Sequence, residues 1–205
     1  MAILFYHLLN TLIVRIKYNS PVILTFALIC SAILFGDMLL NGTLMNYFSV
    51  GTSVNWTNPV SVFNLFSHVL GHASLEHLLG NMTFILLLGP IVEEKYGSKF
   101  TLIMIILTAF ITGMLNITLF DTGLIGASGI VFMLILLVSF TNVNGGEIPL
   151  TFILVALLFI GKEVIYSLQA DQVSQFAHII GGICGSIFGF MGKKGVRNKP
   201  IQMNP

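Results

Sequence analysis

The stretch Gly126-Ala127-Ser128-Gly129 leads without interruption into the apolar run 130–138, which reads IVFMLILLV. A serine at this place opens a membrane helix, and its small neighbours let another backbone come close while they leave the hydroxyl uncovered. The first turn of a helix also offers unpaired N–H groups to a developing negative charge. These are features of a nucleophile, although the same pattern also arises from simple helix packing in glycine-rich membrane segments.

The composition of the whole chain is that of an integral membrane protein. Of its 205 residues, 56% are hydrophobic and only 8% are charged, so a water-soluble core cannot hold them. Since ~20 residues cross ~30 Å of hydrocarbon, the sequence predicts an all-α, polytopic bundle of six transmembrane helices, at 20–40, 73–92, 100–118, 128–140, 149–167 and 175–191. We expect three parts: a cytoplasmic amphipathic segment at 1–19, the six-span domain at 20–192 and a cytoplasmic basic tail at 193–205.

The distribution of basic residues predicts the orientation, because Lys and Arg accumulate in cytoplasmic loops. Apart from Lys162, which lies inside the fifth predicted span beside Glu163, all of them fall on one side: Arg15, Lys17, Lys95, Lys99, Lys193, Lys194, Arg197 and Lys199. Both termini are therefore expected in the cytoplasm, and the loops 41–72, 119–127 and 168–174 outside, most simply in a cell membrane. A net charge of +1 argues against a nucleic-acid partner.

A run of histidines enters the second predicted span as His68-x3-His72-x4-His77-x3-Asn81. On a helix His77 and Asn81 share one face, so both can point into the same cavity. For His68 and His72 two interpretations stay open. They could form a metal or ion-transport site with Glu76, although the zinc-protease spacing is absent, or they could anchor a loop through hydrogen bonds to the backbone.

The sixth predicted span carries His178 on a face otherwise made of glycines. The glycines lie within about 60° of the histidine's direction at 100° per residue; they are Gly181, Gly182, Gly185 and Gly189. Another helix can approach such a face almost backbone to backbone. A histidine in that position is either a buried hydrogen-bonding residue or a functional group.

Depth in the membrane is what brings these groups together. Counted from the cytoplasmic boundary at 1.5 Å per residue, they all lie about 18 to 24 Å deep, the four being Ser128, His178, His77 and Asn81. They share one layer below the outer edge of the hydrocarbon. The short fourth helix is then explained, because the loop before it re-enters to deliver the serine in mid-membrane, where irregular backbone requires a protein-lined cavity.

The residue types in this layer predict serine-protease chemistry without a metal or other cofactor. His178 can accept the proton of Ser128 and return it to a leaving amine, through an acyl-enzyme. The oxyanion would be held by the Ser128 backbone N–H and the side chains of His77 and Asn81. No acidic third member is expected at this depth, so the prediction is a Ser-His dyad.

At this point the chain resembles the rhomboid family of intramembrane serine proteases, over all six predicted spans. The segment 126–129 looks like the family's nucleophile motif, and Ala177-His178 with Gly181 and Gly185 looks like its base motif. The pair His77-x3-Asn81 is similar to its oxyanion pair. Further positions that match the spacing of bacterial members are His68, His72, Glu93 and Gly97.

The resemblance implies cleavage of single-span membrane proteins near the outer face of the bilayer, with the fifth span and the loop 168–174 as gate and cap. Two positions depart from the family pattern. Phe63-Asn64 stands where many members have Trp-Arg in the first outer loop, and Phe132 stands where bacterial members often have a tyrosine packed on the histidine. A non-enzymatic alternative is a rhomboid-like pseudoprotease that binds membrane helices without cleaving them.

Overall fold

The computed structural model describes residues 17–139, 150–151, 153–155, 157–158 and 172–196. Within these ranges the chain is all-helical, apart from turns and one isolated antiparallel bridge. The helices are α1 (Pro21–Leu39), α2 (Pro59–Ser67), α3 (Leu75–Tyr96), α4 (Ser98–Leu119), α5 (Ser128–Val138) and α6 (Gln172–Val196), with a short 3-10 turn at Leu44–Tyr47. The described residues of 150–158 are helical too.

Three of the helices, α1, α3 and α4, are long and apolar enough to cross a membrane, and α5 and the stretch Phe176–Met191 of α6 are shorter apolar helices. The chain is therefore an integral membrane protein, and five of the six predicted spans coincide with helices. The fifth predicted span, with Lys162 and Glu163, lies mostly outside the described residues, as do residues 1–16 and 197–205 of the expected terminal segments. The count of six stays a prediction.

The short helix α5 lies at the centre of the bundle, as its apolar sequence requires. It has 11 residues, about 16 Å of helix and so roughly half of the hydrocarbon thickness. The side chains of Ile130, Met133, Leu134 and Leu137 are completely buried, because α5 packs against α3, α4 and α6. The predicted short fourth helix is confirmed, and it begins at Ser128 as expected.

The boundary after α3 differs from the prediction. The polar residues from Glu93 onward were expected to end the span, but α3 continues to Tyr96 and Glu93 is only 4% exposed. Its carboxylate accepts hydrogen bonds from the backbone N–H groups of Val22 (3.1 Å) and Ile23 (3.0 Å), and from the Ser98 hydroxyl at 2.6 Å. Glu93 is thus the N-terminal cap of α1, whose own cap residue makes no side-chain bond.

We expect Glu93→Ala to destabilise the fold by about 2 to 4 kcal/mol, because two helix N–H groups lose their acceptor in a buried place. The measurement is the unfolding midpoint of the purified protein in a mixed-micelle denaturant titration. The matched control is Glu94→Ala, which removes an exposed carboxylate from the neighbouring position and should change stability by less than about 0.5 kcal/mol. Equal midpoints for the two variants would contradict the capping role.

The loop before α5 is tied to the loop between α1 and α2 by a pair of backbone hydrogen bonds. Val50 and Leu124 each donate to the carbonyl of the other, at 2.9 Å in both directions. Both side chains are buried. A Cβ on Gly123 would lie 3.1 Å from the Val50 carbonyl oxygen, so the two loops run in close backbone contact. We call this pair of bonds the loop clasp.

Candidate functional site

The backbone before Ser128 has a conformation that requires glycine. Gly126 has a φ of +117°, and a Cβ there would also lie 2.5 Å from Cε1 of His77. Its N–H donates to the carbonyl of His68 at 2.9 Å. The chain then turns into α5 with Ser128 as its first residue, so the serine stands at a helix N-terminus beside the His77 ring.

Helix α6 meets α5 backbone to backbone, as the glycine face predicts. A Cβ on Gly181 would collide with the carbonyl of Gly129, and one on Gly185 would collide with the carbonyl of Met133. We call this contact between α5 and α6 the seam. In the seam the ring centroids of Phe132 and His178 lie 4.2 Å apart, with an interplanar angle of 35°. The Phe132 ring thus packs on the imidazole of His178.

Helix α3 supplies the polar wall opposite this seam. The Ser74 hydroxyl caps the helix by accepting from the backbone N–H of His77 at 3.1 Å. One turn further on, Asn81 is 7% exposed. Its Nδ2 is buried and has no hydrogen-bond partner among the described residues, so it is a donor without an acceptor.

The four residues that depth counting placed in one layer line a single cavity of about 790 Å³. They are Ser128, His178, His77 and Asn81, from helices α5, α6 and α3. Residues of the two connecting loops, 73–74 and 123–125, complete the wall at one end. Toward the other end the lining is apolar and consists of Phe84, Val131, Phe132 and Ile135. Of the predicted packing residues, Gly126, Gly129, Gly181 and Gly185 set the backbone approach around it.

His68 and His72 are both 1% exposed and anchor the chain between α2 and α3. Their Nδ1 atoms lie 3.3 Å from the backbone carbonyls of Asn64 and Leu70 respectively. The interpretation as loop anchors is therefore confirmed. With Glu76 they do not form a metal-binding group, and no other set of three His, Cys, Asp or Glu side chains does so within the described ranges.

Burial also changes the acid-base behaviour of these two histidines. It lowers the pKa of His68 to about 4. The pKa of His72 is likewise lowered to about 4, by burial and then by the charge of neighbouring His77, whose ring lies 5.1 Å away. Both imidazoles are therefore neutral in the folded protein at neutral pH, which suits residues that are enclosed by backbone and apolar side chains.

We expect the free energy of unfolding to fall as the pH drops from about 6.5 toward 4, because these histidines bind protons in the unfolded protein at a higher pH than in the folded protein. The loss is on the order of 1 to 3 kcal/mol per histidine, and stability should be level above pH 7. The measurement is the unfolding midpoint between pH 7.5 and 4.5. His68→Gln, which cannot titrate, should reduce the pH dependence, and an unchanged slope in that variant would contradict the assignment.

The loop between α1 and α2 is anchored without a Trp-Arg pair at positions 63 and 64, which are Phe and Asn. Phe63 packs edge-on against Phe48, with 6.2 Å between ring centroids. Asn64 donates from Nδ2 to the Asn46 carbonyl at 3.0 Å, and the Ser67 hydroxyl donates to the Tyr47 carbonyl at 2.6 Å. An aromatic contact and two side-chain bonds thus fix α2 to the preceding turn.

Sequence reasoning missed a polar stripe on α4. Asn116 is fully buried and donates from Nδ2 to the carbonyl of Thr122, 2.8 Å away, in the loop that leads to Ser128. One turn below, the Thr112 hydroxyl lies 3.3 Å from Nε2 of His68. Thr108, another turn down, is buried as well. The spacing Thr108-x3-Thr112-x3-Asn116 puts all three on one face, and that spacing was the available signal.

Comparison with known proteins gives consistent matches over the part of the chain that builds the cavity. A family model described as the Rhomboid domain matches residues 59–195. The chain is similar to rhomboid protease GlpG of Haemophilus influenzae, with 29% identity over 136 residues, 65% of this chain and 71% of that protein. It is also similar to rhomboid-related protein 1 of Caenorhabditis elegans, with 34% identity over 137 residues, which make up 61% of this chain but only 38% of the nematode protein.

Proposed function

Because the chain belongs to the rhomboid family, which includes intramembrane serine proteases, we propose that it is itself an intramembrane serine endopeptidase. The observation that carries the proposal is the shared cavity. A helix-terminal serine, a histidine from the helix packed directly against it, and two further polar side chains all face the same space: Ser128, His178, His77 and Asn81. A packing role alone does not require four such groups to converge on a cavity.

In the proposed reaction His178 accepts the proton of the Ser128 hydroxyl while the hydroxyl oxygen attacks the peptide carbonyl carbon. The C–N bond then breaks, the amine leaves with the proton from His178, and water hydrolyses the remaining ester. Three donors serve the oxyanion, namely the Ser128 N–H and the side chains of His77 and Asn81. The buried Nδ2 of Asn81, which lacks an acceptor, supports this role most directly.

We assign the catalytic pair as a dyad. Asp121 is exposed in the loop before α5 and does not line the cavity, and Asp171 lies outside the described residues. In place of a carboxylate, the ring of Phe132 packs on the imidazole at 4.2 Å. This contact, together with the close seam at Gly181, supports a role for packing in the orientation of His178.

The proposed substrates are single-span membrane proteins, cleaved near the outer face of a cell membrane while both termini of the enzyme lie in the cytoplasm. The positions of the basic residues support this orientation. Lys95 and Lys99 flank the turn between α3 and α4, at the end of α3 opposite to the loop residues of the cavity. The proposal keeps residues 20–192 as one six-span catalytic domain between an amphipathic segment and a basic tail.

Labelling with a fluorophosphonate probe tests the proposal without knowledge of the substrate. We expect the purified protein in liposomes to react at one residue, Ser128, identified by mass spectrometry of the labelled peptide, and we expect His178→Asn to abolish labelling. If the folded protein does not label and does not cleave reporter proteins, the chain is instead a helix-binding pseudoprotease. The similarity to the nematode protein named rhomboid-related protein 1 is compatible with that alternative.

A further inference from the structure

One charged residue in the cavity wall has no part in the proposed chemistry. Glu76 lies in the first turn of α3, directly before His77, and its exposed side chain lines the cavity. The sequence pattern had grouped it with His68 and His72, but the histidines are buried and bonded to backbone carbonyls, whereas Glu76 faces the open space. Its carboxylate therefore belongs to the cavity and not to the histidine anchors.

The described residues of the cavity wall include no lysine or arginine to pair with this carboxylate, and the basic side chains among them are the imidazoles of His77 and His178. The nearest lysine along α3 is Lys95, at the other end of the helix, and 19 residues of helix separate the two by about 28 Å. The polar residues beside Glu76, such as Ser74 and Asn81, are neutral. Within the described part of the chain, the wall of the cavity thus carries one carboxylate that no lysine or arginine pairs with.

The position of that charge relative to the proposed reacting groups is defined by α3. Glu76 precedes His77 by one residue, and Phe84 of the apolar end follows eight residues later, about 12 Å further along the axis. The carboxylate is therefore at the end of the cavity where the loop residues 73–74 and 123–125 form the wall. A polypeptide laid along the cavity would pass it on the loop side of the cleaved bond.

We propose that Glu76 selects substrates with a lysine or arginine on the loop side of the scissile bond. The inference rests on the proposed proteolytic function and names a feature of its substrates. Since an extended chain advances about 3.3 Å per residue and a lysine side chain reaches further than that, the basic residue lies within about three positions of the cleaved bond. Neutral or acidic residues at that place leave Glu76 unpaired or repelled.

The test uses a set of single-span reporter proteins that differ at one position, which carries Lys, Gln or Glu and is moved stepwise along the loop side of the cleavage site. The quantity measured is kcat/KM in liposomes. At the responsive position we expect wild-type enzyme to prefer Lys over Glu by about 1.5-fold to fivefold, the range of an exposed ion pair. Glu76→Gln should abolish the preference, and Glu76→Lys should reverse it.

A matched control removes an equivalent charge from the far end of the same helix. Glu94 is exposed near the C-terminus of α3 and is not part of the cavity wall. Glu94→Gln should therefore keep the wild-type preference for Lys. A loss of preference equal to that of Glu76→Gln would show a general effect of net charge and would overturn the role of Glu76.

Measurements of peptide binding test this inference independently of the proposed proteolytic activity. Fluorescent peptides that match the reporters are titrated into Ser128→Ala enzyme. This variant should bind the Lys peptide more tightly than the Glu peptide, and the double variant Ser128→Ala, Glu76→Gln should bind both peptides equally. Equal cleavage of all reporters by wild type overturns the inference and leaves the protease proposal intact. Absence of any cleavage overturns the protease proposal, and peptide binding that keeps its dependence on Glu76 would still support the charge selection.

Discussion

Ser128→Ala is expected to reduce cleavage of a reporter single-span protein by about 10³-fold or more, because the variant has no oxygen to attack the carbonyl. The fold should be unaffected, since alanine is well tolerated at the first position of a helix. The measurement is initial cleavage velocity in liposomes at saturating reporter, with the unfolding midpoint as a check on structure. His178→Ala should show a loss of similar size, and the double variant should lose little more, since the two groups act as one unit.

The matched control for this experiment is Ser139→Ala. Ser139 follows the last residue of α5, and its hydroxyl donates to the carbonyl of Ile135, at 3.1 Å, one turn back. Removal of that hydroxyl should leave turnover within about twofold of wild type. If Ser128→Ala cleaved the reporter as fast as Ser139→Ala, the proposed nucleophile would be wrong.

Gly181→Ala should damage stability and activity together. The added methyl group would overlap the carbonyl group of Gly129, which is helix backbone and has no side-chain rotamer to change. Helices α5 and α6 must then separate, at a cost of about 2 to 4 kcal/mol. Because Ser128 is adjacent to Gly129 and His178 lies one turn before Gly181, the same movement pulls the proposed dyad apart, and a displacement of ~1 Å can cost ~10²-fold in rate.

The control for this effect is another helical glycine with free space around it. A Cβ on Gly80 would have no other atom within 4 Å, so Gly80→Ala should leave the unfolding midpoint unchanged or raise stability by about 0.5 to 1 kcal/mol through helix propensity. Both midpoints are measured by the same denaturant titration. A Gly181→Ala protein as stable as wild type would contradict the close contact between α5 and α6.

Those features of the fold that depend on local sequence could be predicted. The start of α5 at Ser128 follows from the glycine before it and the apolar run after it, and the shared face of His77 and Asn81 follows from helical spacing. The close contact between α5 and α6 could be predicted from Gly181 and Gly185, because a row of glycines in a membrane helix indicates close packing against another helix.

Features that depend on contacts between distant segments could not be predicted. The capping of α1 by Glu93 joins positions about 70 residues apart, and nothing in the local sequence distinguishes a capping carboxylate from a solvated one. The same holds for Asn116, whose acceptor is a backbone carbonyl and therefore has no residue-type signature. For Glu76 the sequence left open a metal site with His68 and His72, since spacing alone does not show which side chains are buried.

The loop clasp between Val50 and Leu124 bears on how this protein can be combined with its relatives. Since each residue supplies both a donor and an acceptor to the other, the two segments form one structural unit although Val50 and Leu124 are 74 positions apart in the sequence. A chimaera that takes the loop between α1 and α2 from another rhomboid, while keeping the native residues before α5, mismatches the two halves of that unit. Loop grafts between family members should therefore be made in pairs.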